Sequence, residues 1–254
     1  MTDYFHPLAA PFHLEGSRDD AVLLLHGWTG SPAHLRVLGS QLNVAGFPII
    51  APLLAGHGTR IEDIVDTGWR DWVKSAAEAA LEIDATGKRL HLVGLSMGGV
   101  ISVLLAPVFN AVTITTINAP QRVWDRRTRL ATAFRGSKRI NPGGSSVPSP
   151  PEMAEFQQQY EGTPIGSVAE LRDLINAANR NLHRVMCPAL VIQSKADETV
   201  RPVSGKIIYE GLGSADKGLV WLDESRHVAL LDDERDVIAQ VILEHLQRNS
   251  LEPE

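Results

Sequence analysis

The chain has 254 residues, and 24 lysines and arginines against 30 aspartates and glutamates give it a net charge of −6. Such a balance disfavours a nucleic-acid-binding protein, which usually carries a basic field. The single cysteine, Cys187, excludes an internal disulfide and fits a reducing compartment, so we expect a cytoplasmic protein. The apolar runs are far shorter than a membrane span, and the N-terminal residues show no secretory signal.

Short, nearly continuous apolar runs alternate with helical patterns along the chain. Apolar runs of this kind are typical of strands that are covered on both faces. The runs predict strands at 21–25, 47–51, 90–95, 111–117, 189–193 and 218–222. The patterns between them predict helices at 32–45, 69–85, 97–107, 203–211 and 235–248. This alternation predicts an α/β fold with a mostly parallel sheet and helices on both faces.

One segment, residues 121–184, interrupts this alternation. It shows no strand pattern, and a turn-forming run rich in proline and glycine extends from Asn141 to Pro151. Helical patterns lie at 124–134, 151–160 and 167–185. An interruption of this length between two core strands is better explained as an inserted cap than as a loop. We therefore expect a single domain, residues 1–254, with a cap inserted at 121–184.

A Gly-x-Ser-x-Gly pattern lies between the predicted strand at 90–95 and the helix that follows it. It consists of Gly94, Ser96 and Gly98 with one residue between each. A nucleophile elbow requires this setting, because its serine must project from a tight turn between a strand and a helix. The alternative is a glycine-rich turn whose serine caps the helix.

An activated serine needs a base, and in this architecture the histidine follows the serine and the acid in the chain. Three histidines follow Ser96. His245 falls in the final helix, and His183 precedes a strand, at the wrong edge of the sheet. His227 follows the last predicted strand in a loop, at the correct edge, and is the candidate base.

The acid that orients the base should also follow a strand. Asp197 lies just beyond the predicted strand at 189–193, at the edge where open α/β sheets build their sites. Glu198 is the adjacent rival, and Asp223 is a more distant one. Asp197 is preferred because its short side chain, held in a tight turn, has fewer rotamers; the alternative role for it is a simple Asx-turn.

An oxyanion formed at Ser96 needs backbone N–H donors. The loop 26–31 follows the first apolar strand and precedes a helix, where such a donor is expected. We expect the N–H groups of Trp28 and Met97 to form the pair, with Gly27 allowing close approach to Ser96. An ordinary strand–helix loop with a core tryptophan is the alternative.

Several motifs together make the chain resemble bacterial carboxylesterases and monoacylglycerol lipases of the α/β-hydrolase fold. The resemblance implies Ser96 as the nucleophile, Asp197 as the acid, His227 as the base, and Trp28 and Met97 as the oxyanion donors. It also implies a small cap over an acyl-binding groove. The motifs lie at residues 26–32, 52–59, 71–73, 94–99, 187–192 and 227–229.

The resemblance is weakest where it bears on substrate choice. Related lipases carry an acidic cap residue toward glycerol, whereas the nearest match here falls at or next to Gln157, between Glu155 and Glu161. Val147 and Gln157 are the cap positions that we expect to contact the substrate. The cap also contains a basic cluster whose only acid is Asp125, which leaves open a weak contact with a lipid surface. Its cations are Arg122, Arg126, Arg127, Arg129, Arg135, Lys138 and Arg139.

These features predict a serine carboxylesterase that acts on a small-molecule ester through an acyl-enzyme. No cofactor is needed, and neither metal-ligand spacing nor a dinucleotide fingerprint is present. A thioesterase, an amidase or a C–C hydrolase could use the same residues. A ligand receptor with little turnover on the same fold is the alternative from a different class.

Overall fold

The computed structural model describes residues 4–124, 132–142 and 150–250. A seven-stranded sheet has the order β1-β3-β2-β4-β5-β8-β9. Only the edge strand β1 is antiparallel to its neighbour. The sheet strands are β1 (Phe12–Leu14), β2 (Asp20–Leu25), β3 (Ile49–Ala51), β4 (Arg89–Leu95), β5 (Thr113–Ile117), β8 (Ala189–Ser194) and β9 (Lys217–Leu222).

Helices cover both faces of this sheet. On β2, Leu23 and Leu25 pack into the core on one face, whereas Val22 and Leu24 pack into the core on the other. This alternation explains why the strand reads as a continuous apolar run. Helices α1 (Arg36–Val44) and α7 (Arg235–Asn249) cover one face. The other face carries α3 (Trp69–Ala85), α4 (Met97–Leu105), α5 (Ile165–Asn179) and α6 (Val203–Gly211).

The predicted strands and core helices are confirmed, with differences at their ends and in the shortest elements. The helix predicted at 32–45 begins as a 3₁₀ turn, Pro32–Leu35, before α1, and Ser31 Oγ accepts from Ala33 N at 3.4 Å. Strand β1 and helix α2 (Ile61–Val65) are among the short elements that were not predicted. Both are shorter than the windows over which a periodic pattern can be recognised.

The segment between β5 and β8 differs from its prediction in three places. The prediction of no strand was wrong, because β6 (Ile140–Asn141) pairs with β7 (Thr163–Pro164) as a small antiparallel ladder. The pattern at 151–160 gives a 3₁₀ helix, Pro151–Phe156, and the pattern at 167–185 gives α5 followed by a 3₁₀ turn, Leu182–Arg184. Most of the pattern at 124–134 lies outside the described residues.

Helix α5 packs in the hydrophobic core. Its residues Leu174 and Ala178 belong to the same core cluster as Ile101 of α4 and Ile83 of α3. Helix α5 is therefore part of the core, although it falls in the segment that was predicted as a cap. Within the described part of the chain, no helix combines the length and the apolar character that a bilayer crossing requires.

Candidate active site

Ser96 lies in a strained turn between β4 and α4. Its backbone angles, φ 53° and ψ −117°, fall where non-glycine residues are rare and strain must be held by the surrounding structure. Its N–H donates to Ile117 O of the neighbouring strand β5 at 2.8 Å. Two glycines allow the turn: a Cβ atom on Gly94 would lie 2.2 Å from the Gly98 carbonyl carbon, and one on Gly98 would lie 2.1 Å from Leu25 O.

Three side chains that the sequence placed at this sheet edge meet in one hydrogen-bonded chain. His227 Nε2 lies 3.0 Å from Ser96 Oγ, and His227 Nδ1 lies 2.8 Å from Asp197 Oδ2. The other carboxylate oxygen of Asp197 accepts from the N–H groups of Thr199 and Val200 at 2.8 and 2.7 Å. These bonds fix the buried carboxylate in its turn, so that it can hold the imidazole with Nε2 directed at the serine.

The rival residues lie elsewhere. Glu198 Oε2 accepts from the backbone N–H of His227 at 3.1 Å and therefore touches the loop rather than the ring. Asp223 pairs with Lys195. His183 lies in the 3₁₀ turn before β8, and His245 is buried in α7. Among the described histidines, only His227 has a ring nitrogen hydrogen-bonded to Ser96.

The loop after β2 approaches the serine from the other side. A Cβ atom on Gly27 would lie 3.3 Å from Ser96 Cβ, so a glycine permits this close approach. The N–H of Trp28 has no acceptor among the described residues. Met97 is the first residue of α4, where a helix leaves its N–H without an internal partner. Both expected donors thus remain available for a negatively charged oxygen at Ser96.

The segment between β5 and β8 contacts both loops that flank the serine. Tyr160 N donates to Thr29 O at 2.8 Å, and Ser31 Oγ donates to Gln158 O at 2.7 Å. Thr29 has φ 63°, so these contacts hold a turn that its side chain disfavours. Trp28 Nε1 donates to Ser167 Oγ of α5 at 3.0 Å. The geometry of the loop 27–31 therefore depends on residues far along the chain.

The start of the same segment contacts the loop of Asp197. Val123 forms an antiparallel bridge with Val200, and Arg201 N donates to Arg122 O at 2.7 Å. Trp124 Nε1 donates to the backbone oxygen of Asp197 at 3.0 Å. The chain therefore leaves the core directly beside the candidate acid.

A cavity of about 790 Å³ opens above Ser96 and His227. Its apolar lining includes Trp124, Phe134, Val168 and Leu171, and its polar lining includes Ser137, Arg139, Asn141, Gln157 and Gln159. Gln157, one of the two expected substrate contacts, thus lies at the cavity. The other, Val147, lies outside the described residues.

Two residues at the site were missed by the sequence reasoning. Asn118, at the end of β5, donates its side-chain amide to the backbone oxygens of Arg226 and His227 at 3.2 and 2.9 Å. A polar residue directly after a buried strand was the available signal. His34 lines the cavity, and its Nε2 has no hydrogen-bond partner in the described part of the chain. Burial, with His227 nearby, lowers the pKa of His34 to about 4, so this ring is neutral near pH 7.

Metal ligation has no candidate in the described ranges, because no group of three or more histidine, cysteine, aspartate or glutamate side chains is suitably arranged there.

A parallel sheet that presents a serine, a histidine and an aspartate in hydrogen-bonding order is typical of α/β enzymes that act through an activated serine. The chain belongs to the alpha/beta hydrolase family, whose model matches residues 22–241.

Its relatives include esterases and lipases of similar length. The chain is 33% identical over 239 residues to a carboxylesterase of Bacillus subtilis (strain 168), covering 94% of this chain and 96% of the relative. It is 32% identical over 243 residues to the thermostable monoacylglycerol lipase of Bacillus sp. (strain H-257), covering 95% and 96%. The solved structure of a metagenome-derived lipolytic enzyme superimposes with a TM-score of 0.87 at 34% identity, covering 96% of this chain and 99% of that one.

Proposed function

We propose that the protein is a serine carboxylesterase that hydrolyses short- to medium-chain acyl esters or monoacylglycerols. The observation that carries this proposal is the continuous hydrogen-bonded chain from Asp197 through His227 to Ser96, at 2.8 and 3.0 Å. The carboxylesterase and the monoacylglycerol lipase among its relatives support the same chemistry. A cavity that Ser96 lines together with several apolar side chains suits an acyl chain.

The proposed reaction proceeds through an acyl-enzyme. Ser96 Oγ attacks the ester carbonyl carbon while His227 Nε2 takes its proton, and Asp197 stabilises the imidazolium that forms. The N–H groups of Trp28 and Met97 donate to the oxyanion. Collapse of the tetrahedral intermediate expels the alcohol, which takes the proton from His227. Water, deprotonated by His227, then attacks the acyl carbon and releases the carboxylic acid and Ser96.

The proposal assigns the segment 121–184 the role of a cap over this site. Gln157 and Val147 are its proposed substrate contacts, the first because it lines the cavity and the second on the resemblance alone. We also expect the protein to work in the cytoplasm, where its single cysteine stays reduced. A weak lipid-surface contact through the basic cluster remains part of the proposal. The proposed hydrolysis requires neither the cytoplasmic location nor the lipid contact.

The test is hydrolysis of p-nitrophenyl butyrate by the intact protein and by Ser96→Ala. We expect the substitution to lower kcat by about 10⁴-fold or more, because the nucleophile is lost. Ser102→Ala is the matched control, because Ser102 is buried in the same helix and its Oγ donates to Gly98 O at 2.9 Å. Ser102→Ala should hydrolyse p-nitrophenyl butyrate at the wild-type rate.

A fluorophosphonate probe separates the enzyme from a ligand receptor on the same fold. Labelling of the intact protein and of Ser102→Ala, but not of Ser96→Ala, is expected. Wild-type turnover by Ser96→Ala, or an intact protein that neither labels nor turns over, would refute the proposal. Matched thioester and anilide substrates, together with acyl chains of rising length, then show which acyl transfer is fastest.

A further inference from the structure

Every second residue of the stretch 137–141 lines the cavity. Ser137, Arg139 and Asn141 contribute to its lining, whereas the intervening Lys138 points elsewhere and places its Nζ 3.5 Å from Asp66 Oδ1. Successive side chains of an extended chain point to opposite sides. The alternation therefore directs Arg139 toward the substrate cavity.

The backbone at Arg139 is held on both sides. Its N–H donates to Ser137 Oγ at 3.3 Å, and its carbonyl oxygen accepts from Ile165 N at 3.0 Å. The next two residues, Ile140 and Asn141, form strand β6. Asn141 and Gln159, which both have amide side chains, line the same cavity. A cation that is placed by the backbone and accompanied by amide groups suits an anion.

Arg139 differs from its cationic neighbours in having no carboxylate partner among the residues that the structure describes. Arg135 is paired with Glu170, and Arg226, the other arginine of the cavity lining, has its Nε 2.8 Å from Asp232 Oδ2. Arg139 has no carboxylate within ion-pair distance in the described part of the chain, and its side chain is exposed. Its charge is therefore available to a ligand.

Two carboxylates, Glu198 and Asp232, also line the cavity, and Asp232 is paired with Arg226. Glu198 lines the cavity and accepts from the backbone N–H of His227 at 3.1 Å. An anionic group on a substrate is repelled by Glu198 and attracted by Arg139. The two charges together orient a substrate that has one charged end.

We propose that the guanidinium of Arg139, with the amides of Asn141 and Gln159, binds an anionic group of the substrate. This inference rests on the proposed esterase activity and narrows it: the preferred esters carry a carboxylate or phosphate away from the ester bond. The apolar lining formed by Trp124, Phe134 and Leu171 accommodates the chain that joins the two groups.

The test compares pairs of esters that differ in one charge. Mono-p-nitrophenyl suberate and p-nitrophenyl octanoate have equal acyl length and differ by a terminal carboxylate on the acyl side. 1-Octanoyl-glycerol-3-phosphate and 1-octanoylglycerol differ by a phosphate on the alcohol side. The pair of esters whose relative rates of hydrolysis change in Arg139→Gln shows which side of the ester bond bears the anion.

The variants are Arg139→Gln and its matched control Lys138→Gln. Arg139→Gln should lower kcat/KM for the anionic ester of one pair by about three- to tenfold, the value of a partly solvated charge-assisted contact. The neutral ester should be hydrolysed at the wild-type rate. Lys138→Gln should change neither, because that side chain faces Asp66. Added salt should reduce the preference of the wild type.

Two results would overturn the inference while leaving the esterase activity intact: equal effects of Arg139→Gln on both members of each pair, or no effect on any of them. If the wild type hydrolyses neither these four substrates nor p-nitrophenyl butyrate, the proposed function itself fails, whereas turnover of the butyrate alone overturns only the inference. A fall with Lys138→Gln as large as that with Arg139→Gln would also contradict the inference, since it would reflect the general charge of the segment.

Discussion

Asn118 donates its side-chain amide to the backbone oxygen of His227 at 2.9 Å, and this bond joins the end of β5 to the loop of the candidate base. Its side-chain oxygen accepts from Ser194 N at 2.8 Å and from Gln193 Nε2 at 3.1 Å. Asn118 is fully buried with φ 48°, a conformation that asparagine tolerates better than most residues. One residue thus ties β5 and β8 to the histidine loop.

Asn118→Asp should lower kcat for ester hydrolysis by about 10- to 100-fold with little change in KM. Aspartate keeps the acceptor for Ser194 but loses the donor to His227, and a displaced catalytic group costs rate rather than binding. Gln193→Met is the control: it removes the neighbouring bond at Asn118 Oδ1 and should keep kcat within about twofold. Equal losses of kcat in both variants would indicate a structural role only.

Asp197→Asn and Glu198→Gln should separate the acid from its rival. We expect Asp197→Asn to lower kcat by about 10³- to 10⁴-fold, because an amide no longer selects the tautomer that faces the serine. Glu198→Gln keeps an acceptor for the His227 N–H and should change kcat less than about tenfold. Steady-state kinetics at one pH, with circular dichroism as a check on folding, decides between them. A larger loss of kcat in Glu198→Gln than in Asp197→Asn would identify Glu198 as the acid instead.

Trp28→Phe and Ser167→Ala remove the same hydrogen bond, which anchors the loop of Trp28 to α5. Each should lower kcat by about three- to tenfold, since a neutral hydrogen bond is worth about 1 kcal/mol. The double variant should be no slower than the slower single variant, because the bond can be lost only once. If the double variant instead lost the product of the two single losses in kcat, the two substitutions would act independently and not through this shared hydrogen bond.

Gly98→Ala should destabilise the fold. Its new Cβ would lie 2.1 Å from Leu25 O, a backbone atom that cannot move without disturbing β2. We expect the free energy of unfolding in urea to fall by about 3 kcal/mol or more. Gly218→Ala is the matched control, because its Cβ would meet only Leu190 Cδ1, at 3.6 Å. That variant should stay within about 1 kcal/mol of the wild type.

Acid should destabilise the protein in part through His245. Burial, with Arg248 nearby, lowers the pKa of His245 from 6.5 to about 4. The unfolded chain therefore binds a proton between these values that the folded chain does not, and stability falls as the pH drops from about 6.5 toward 4. His245→Gln should reduce the loss between pH 7 and pH 5 by about 1–2 kcal/mol. Parallel stability curves for the two proteins would contradict this.

Most of what the sequence could predict about the fold and the site came from the alternation of strands and helices. Ser96, Asp197 and His227 each follow an apolar run, and carboxyl ends of parallel strands share an edge, so their meeting could be inferred. Asn118 could not be assigned a role, because its partners Ser194 and His227 are distant in the chain. The segment 121–184 was predicted least well, since β6 and β7 are only two residues long each and pair with each other across a long stretch of chain.

The bridge between Val123 and Val200 sets a boundary for engineering. A chimera that imports this part of a relative keeps the partners of Asp197, Thr29 and Ser31 if its junctions lie after Trp124 and before Gln158. Junctions outside these limits would also replace the partners of Asp197, Thr29 and Ser31. The contacts that hold the candidate acid and the loop of Trp28 would then be kept while part of the cavity lining is exchanged.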